Sequence, residues 1–370
     1  MASISRRQFL SRSASALAAG ALMGSPGLAQ GRRDSYEFLV IGDSLVWGQG
    51  LKEEQKFYYL TKQWIKSEIF NGNGHVNLNV KAHSGSTIKL DPTERSALEM
   101  AEIPVSSKLH PEVNVSFPTV KAQLEMARRE YPDPASVDLI MLSGSVPEVG
   151  VARIISPFES NDKLRRDIEL YSFGHMCELL VETAHAFPNA LIVVVGYYPI
   201  ITRHTPMGRI VNDVLELYNW PRWTKPIINN PVKRQIWRLW RGKMIERSQI
   251  WHTGSDEALG RAVNVVNAKF GAERAVFVPT PLAEENAYGA KRTLLFKVAR
   301  RGRPADPKGE IRREECGPAL TELRRETNLR YRTRFCELAS IGHPNVDGSA
   351  AIAEAIRVAL LPRLAEIASR

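Results

Sequence analysis

Five short apolar runs alternate with helical patterns along this chain, and that alternation restricts the fold more than any other feature. The runs are Tyr36–Ile41, Val76–Ala82, Asp138–Leu142, Ala190–Gly196 and Ala275–Val278. Between and after them lie Glu53–Phe70, Val120–Tyr131, Lys163–Phe187, Asp256–Phe270 and Asp347–Ile367, which read as helices. Strands separated by helices cannot pair as hairpins; they pair in parallel, with the helices packed over the sheet. The expected fold is therefore α/β: a doubly wound, flavodoxin-like parallel sheet of about five strands with helices on both faces. Pro362 is expected to kink or break the last helix.

Three of the strand ends carry similar punctuation. The first runs into Gly42-Asp43-Ser44, the second into His83-Ser84-Gly85-Ser86, the third into Ser143-Gly144-Ser145. In a doubly wound sheet the carboxyl ends of the strands converge on one crevice, so small residues with free backbone N–H groups at three such ends predict a site. Near the other end of the chain, Gly342-His343-Pro344-Asn345 places a histidine on a turn before the last helix. Ser44 and His343 are the expected nucleophile and base.

The first 29 residues are expected to leave before the protein acts. Ser5-Arg6-Arg7-Gln8-Phe9-Leu10 is a twin-arginine pattern, an apolar stretch follows from Ala14 to Leu22, and Gly27-Leu28-Ala29 offers a cleavage site. The expectation is a bacterial protein handed to the twin-arginine export machinery and delivered to the periplasm or medium. The formal charge is +10, and loss of Arg6, Arg7 and Arg12 leaves +7. A moderately basic mature chain suits anionic surfaces, including peripheral contact with a membrane. No recognition motif supports nucleic-acid binding. Cys177 falls within a helical pattern and reads as a core thiol, whereas Cys316 and Cys336 flank an Arg-rich segment and are candidates for a disulfide. No His/Cys spacing suggests a metal site, and no cofactor is expected.

Two insertions interrupt the alternation within the predicted domain at 34–370. Ala97–Pro118 lacks periodicity. A Trp-rich, cap-like insertion at about 205–253 holds Trp220, Trp223, Trp237, Trp240 and Trp251 among basic residues. Its aromatics either bury against the sheet or form a lid that meets a lipid interface or stacks on sugar rings.

Ile41-Gly42-Asp43-Ser44, the glycine turns after the second and third strands, and Gly342-His343-Pro344-Asn345 with Gly348 together resemble the SGNH (GDSL-type) hydrolase superfamily over about residues 36–365. The resemblance implies an esterase-like acyl transfer on an acylated small molecule, lipid or glycan. Ser44 would attack the ester carbonyl and His343 would move the proton. The oxyanion would be held by the backbone N–H of Ser44, the backbone N–H of Gly85 and an asparagine side chain from the third block.

The chain departs from that pattern twice. The third block, normally Gly-Xaa-Asn-Asp, is Gly144-Ser145-Val146-Pro147-Glu148-Val149-Gly150, with Pro147 where a subgroup with one extra residue has asparagine. Ser145, through its hydroxyl, and Asn345 are the substitutes considered; loss of one donor in three corresponds to ~10²–10³ in turnover. Where the family commonly has Asp three residues before the histidine, this chain has Ser340, giving a Ser–His dyad. Glu337 and Asp347 are the nearest carboxylates in sequence. His83 reads as packed or substrate-facing, Asp43 as a turn former, Glu148 as a polar group at the crevice. The stretch Arg300–Arg334, with interleaved acids including Asp306, reads as a solvated face. A scaffold of weakened catalysis that binds glycan or membrane, and an O-acyltransferase, are the alternatives to an esterase.

Overall fold

The computed structural model describes residues 35–72, 74–107, 109–206, 208, 231–298 and 305–368, which belong to one compact unit. The expected signal segment lies outside the described residues, as do Trp220, Trp223 and the side chain of Trp237.

Five strands form one sheet: β1 (Ser35–Ile41), β2 (His75–Val80), β3 (Val137–Leu142), β4 (Leu191–Val195) and β5 (Ala275–Val278). Their order is β2-β1-β3-β4-β5, and every pairing is parallel. This is the expected doubly wound sheet. Leu139, Ile140, Met141 and Leu142 of β3 are fully buried, as are Phe38 through Ile41 of β1, because the central strands are covered on both faces. The edge strand β2 instead alternates, with Asn77 exposed. The order reverses between β1 and β3. Their carboxyl ends stand level, Ile41 opposite Leu142, and open the crevice at that switch point.

On one side α1 (Phe57–Trp64) packs with α6 (Val346–Ala368). Elsewhere over the sheet lie α2 (Val120–Glu130), α3 (Met176–Ala186) and α4 (Pro231–Phe270). The expected helix over 163–187 is interrupted: Asn161–Ile168 and α3 are joined by a π-helical turn at Glu169–His175. Pro362 does not break α6. The carbonyl it leaves without a donor is that of Val358, an exposed residue, so water is within reach.

The larger correction concerns the Trp-rich insertion. From Pro231 onward it is helix, continuous with the expected Asp256–Phe270 helix, in one 40-residue element. His252-Thr253-Gly254 has low helix propensity, but packing carries the helix through. Trp251 is buried against the Tyr197 ring at 5.3 Å, Trp240 meets Phe158, and Gly254 lies over Ile168. Arg247, 2% exposed, donates to the carbonyls of Arg153, Ile154 and Glu159. Trp251 fits the reading of aromatics buried against the sheet, whereas Trp240 is half-buried and its ring partner Phe158 is exposed.

A second apolar cluster lies under α5 (Gly309–Thr327), which contributes Cys316, Leu320 and Leu323, with Val113, Val115 and Phe117 from the first insertion. Cys316 and Cys336 are joined in a disulfide inside it. No helix of the described residues is long and apolar enough to cross a membrane.

Candidate active site

Gly42 has φ +144°, and a Cβ there would stand 2.6 Å from the Ser143 carbonyl oxygen, so only glycine lets β1 turn this close to β3. Asp43 then caps a single helical turn, Ser44–Trp47, accepting from the Leu45 N–H at 3.0 Å. Its carboxylate is buried and also accepts from Ser143 Oγ at 2.6 Å and Tyr197 O–H at 2.8 Å. Burial pushes its pKa up, and these hydrogen bonds push back. Asp43 is thus the anchor that ties the first strand end to the third and fourth, in keeping with its reading as a turn former.

Ser44, half-buried, projects from this turn. His343 Nε2 lies 2.7 Å from Ser44 Oγ, across 299 positions of sequence. The His343 loop is held by Phe296, whose N–H donates to the His343 carbonyl at 2.7 Å, and by Tyr198 O–H on the Gly342 carbonyl at 2.8 Å. With Nε2 accepting from Ser44, the imidazole carries its proton on Nδ1. Nδ1 is buried and has no hydrogen-bond partner. The carbonyls of Ala339 and Ser340 beside the ring favour its protonated form but do not line up for a bond. Burial first, and then the Arg312 charge, lower the His343 pKa to about 4.

Gly85 has φ +78° at the second turn. The first insertion, aperiodic in sequence, is laced onto this turn. Ser84 N–H donates to the Pro111 carbonyl, Val115 N–H to Ser84, and Thr87 N–H to Ser116. That lacing brings Asn114 to Gly85: a Cβ on Gly85 would stand 2.1 Å from Asn114 Oδ1. Among the described residues neither the Asn114 side-chain amide nor the N–H groups of Ser44 and Gly85 have an internal hydrogen-bond partner. Gln123, fully buried on α2, clamps the first two turns together. Its Oε1 accepts from Gly42 N–H at 2.7 Å, and its Nε2 donates to the Gly42 carbonyl, Ser86 Oγ and the Pro118 carbonyl.

The remaining expected residues fall as follows. Ser145, fully buried with φ +112°, pairs its hydroxyl with Ser172 Oγ at 2.8 Å. Asn345 uses Oδ1 to accept from Gly348 N–H at the start of α6. His83 is buried, its Nδ1 on its neighbour's carbonyl, its Nε2 unpartnered, and burial lowers its pKa to about 4. Glu148 accepts from Ile88 N–H; burial raises its pKa to about 8. Glu337 pairs with Arg334 and Asp347 is exposed, so neither bonds His343.

Sequence reasoning missed the groups behind His343. Asp306 and Arg312, read within a solvated face, have side chains with no exposure, and Arg312 also bonds the buried Glu112. The signal was available in α5. Gly309, Arg312, Cys316, Leu320, Leu323 and Thr327 recur at three- and four-residue steps and form its buried stripe. An arginine on that stripe has to meet buried acids. Among the described residues no group of three or more His, Cys, Asp or Glu is placed to hold a metal ion.

Comparison with protein-family models and with curated proteins finds no match. Among solved structures the chain is similar to an extracellular lipase from Streptomyces rimosus, with a TM-score of 0.44 and 10% identity, covering 88% of this chain and 99% of that one. It is also similar to the carbohydrate acetylesterase Est24 from Sinorhizobium meliloti, with a TM-score of 0.37, 12% identity and coverage of 88% and 99%. A phospholipase A1 from Streptomyces albidoflavus matches with a TM-score of 0.38, 11% identity and coverage of 73% and 91%.

Proposed function

We propose that this chain is a serine esterase of SGNH type, acting on an acylated small molecule, lipid or glycan through an acyl-enzyme. The observation that carries the reading is the 2.7 Å approach of Ser44 Oγ and His343 Nε2 at the carboxyl edge of the sheet. Ser44 attacks the ester carbonyl while His343 Nε2 takes its proton and then delivers it to the leaving alcohol. Water, activated by the same nitrogen, releases the acid and restores Ser44. The unpartnered N–H groups of Ser44 and Gly85 are the backbone donors to the oxyanion. Two side chains compete for the third place, the Ser145 hydroxyl and the Asn114 amide. Asn114 is the better supported, because its amide is free beside Gly85 whereas Ser145 is engaged with Ser172. Delivery to the periplasm or medium by the twin-arginine route, with peripheral membrane contact, belongs to the same proposal and rests on residues 5–29 and the basic charge.

Covalent labelling of Ser44 by a fluorophosphonate tests it. Labelling lost in Ser44→Ala and strongly reduced in His343→Ala is expected; an unlabelled, folded wild-type chain overturns the esterase. That outcome would leave a binding scaffold, the reading that Pro147 and the bare Nδ1 of His343 favour.

A further inference from the structure

Ser44 and His343 come from opposite ends of the chain, and a reaction between them requires their separation to be fixed to a fraction of an ångström. The side chains that bridge their two segments form a buried cluster outside the dyad. Glu112, 1% exposed at the side chain, accepts from Trp47 Nε1 at 2.9 Å, Gln49 Nε2 at 3.1 Å and Gly50 N–H at 3.3 Å, all within six residues after Ser44. Arg312 donates to Glu112 at 2.5 Å, and from the same guanidinium to Ser340 Oγ at 3.0 Å, Asp306 at 2.6 Å and the Glu337 carbonyl at 3.1 Å. Ser340 donates to Asp306 at 2.7 Å, and its carbonyl accepts from His343 N–H at 3.0 Å. Gly50, at φ +87°, has no Cβ because one would stand 2.7 Å from Ser340 Cβ. The two segments therefore touch, and the touching surfaces are joined through Glu112, Arg312 and Ser340.

We propose that Glu112, Arg312 and Asp306 are positioning residues for the dyad: they fix the Ser44 turn against the His343 loop and set the charge balance behind the imidazole through Ser340. This rests on the reading of Ser44 and His343 as nucleophile and base. Asp306 does not touch His343, so it acts only through Ser340 and through its field. Arg312 and Asp306 pull the imidazole in opposite directions, the cation against its protonated form and the carboxylate in favour of it. Among the described residues, the other charged groups at the cluster include Lys56, stacked 3.0 Å over the Trp47 ring and paired with Glu53, and Lys308, whose backbone N–H donates to Asp306. One carboxylate, Glu112, serves the nucleophile side and the other, Asp306, the base side. The arginine between them is shared.

The experiment is an NMR pH titration of the His343 ring in the full chain, run beside kcat and KM for a short acyl ester, in wild type, Asp306→Asn, Arg312→Gln, Glu112→Gln and Ser340→Ala. Asp306→Asn is expected to lower the His343 pKa and Arg312→Gln to raise it, each by at least half a pH unit. Glu112→Gln is expected to cut kcat by ~10–100-fold with KM within about threefold, as a loosened register does. A general structural weakening cannot move one histidine in opposite directions. Equal or absent pKa shifts in folded variants overturn the proposal. Should Arg312→Gln not fold, Ser340→Ala and Asp306→Asn decide it, since both leave the Glu112–Arg312 pair in place. The titration needs no turnover, so an unlabelled Ser44 sinks the esterase and leaves the charge coupling to be judged by the titration alone.

Discussion

The acid limb of kcat/KM is expected near pH 4, well below where an ordinary histidine base would put it. The cause is structural: the half-buried His343 ring faces the Arg312 cation and has no carboxylate at Nδ1 to offset it; burial first, and then that cation, lower its pKa to about 4. At pH 5.5 a base of that pKa is roughly 97% unprotonated, whereas one at the usual 6.5 is only about 9% so, a difference of about tenfold in the fraction of each enzyme's own plateau rate that is retained. The assay is initial hydrolysis of phenyl acetate from pH 3.5 to 8 by chromatography, with fluorophosphonate labelling rates across the same range. Acid unfolding would produce a limb of the same shape. His83 and His343 have lowered folded pKa values, so as pH falls through 6.5 the unfolded chain takes up their protons first and stability is lost, about 1.4 kcal/mol per pH unit for each proton. Glu148, raised to about 8, and Asp256, raised to about 7, act oppositely between their ordinary values and those, holding protons that the unfolded chain has released. These two pairs offset each other from about pH 4.5 to 6.5; below that range, circular dichroism recorded at each pH separates loss of the fold from protonation of the base. A limb at pH 6–7 in both rate measurements refutes the account of a desolvated, carboxylate-free imidazole.

Three further outcomes can be checked separately. Gln123→Met removes the partner of the buried Gly42 N–H, while Ser86 Oγ keeps its bond to the Pro118 carbonyl; orphaning that N–H is expected to cost about 1–3 kcal/mol by urea unfolding, with kcat falling further than stability alone accounts for. Asn114→Ala is expected to lower kcat by ~10²–10³ while Ser145→Ala lowers it less than tenfold; the reverse ranking would return the third oxyanion place to Ser145. Wild type is expected to lose stability as pH rises from about 6.5 to 8, where Glu148 is protonated only when folded and the histidines no longer offset it, and Glu148→Gln to remove about 1.4 kcal/mol per pH unit of that slope in denaturant titrations at each pH.

The sheet was legible because its evidence is local. A strand buried on both faces has to be an unbroken apolar run, and β1, β3 and β4 are. The Gly42-Asp43-Ser44 turn and the His343 turn were legible for a similar reason, since each needs particular residues at adjacent positions. What escaped was carried by contacts between distant segments. Asn114 sits in a stretch without periodicity, and it reaches Gly85 only because the 111–118 loop pairs its backbone with the second turn and Asn114 N–H rests on Cys336 Sγ at 3.3 Å. Asp306 and Arg312 were hidden by composition: a run rich in both charges looks solvated until the helical spacing of its apolar members is followed. The helix at 231–255 was hidden by a weak Thr-Gly segment that packing against Ile168 and Tyr197 overrides.

The two departures from the SGNH pattern act together. A carboxylate at Nδ1 raises the basicity of a histidine and steadies the imidazolium once the serine proton has moved. Nothing at Nδ1 offsets the burial and the Arg312 charge that lower the His343 pKa to about 4, so on the proposed mechanism each proton transfer is less favourable near neutrality, and the working range extends toward acid because the base stays free. Ser340 holds the place of the carboxylate but turns its hydroxyl away, toward Asp306, and Arg312 keeps it there. The negative charge is thus present one residue further back, offset by the arginine that also anchors the nucleophile's segment. Moving the carboxylate forward with Ser340→Asp would place it at Nδ1 while leaving Arg312 to balance it. The expected result is an acid limb raised toward 6 together with a higher kcat near neutral pH. A Ser340→Asp enzyme that folds and shows neither change would mean that the bare Nδ1 is not what sets the strength of this base.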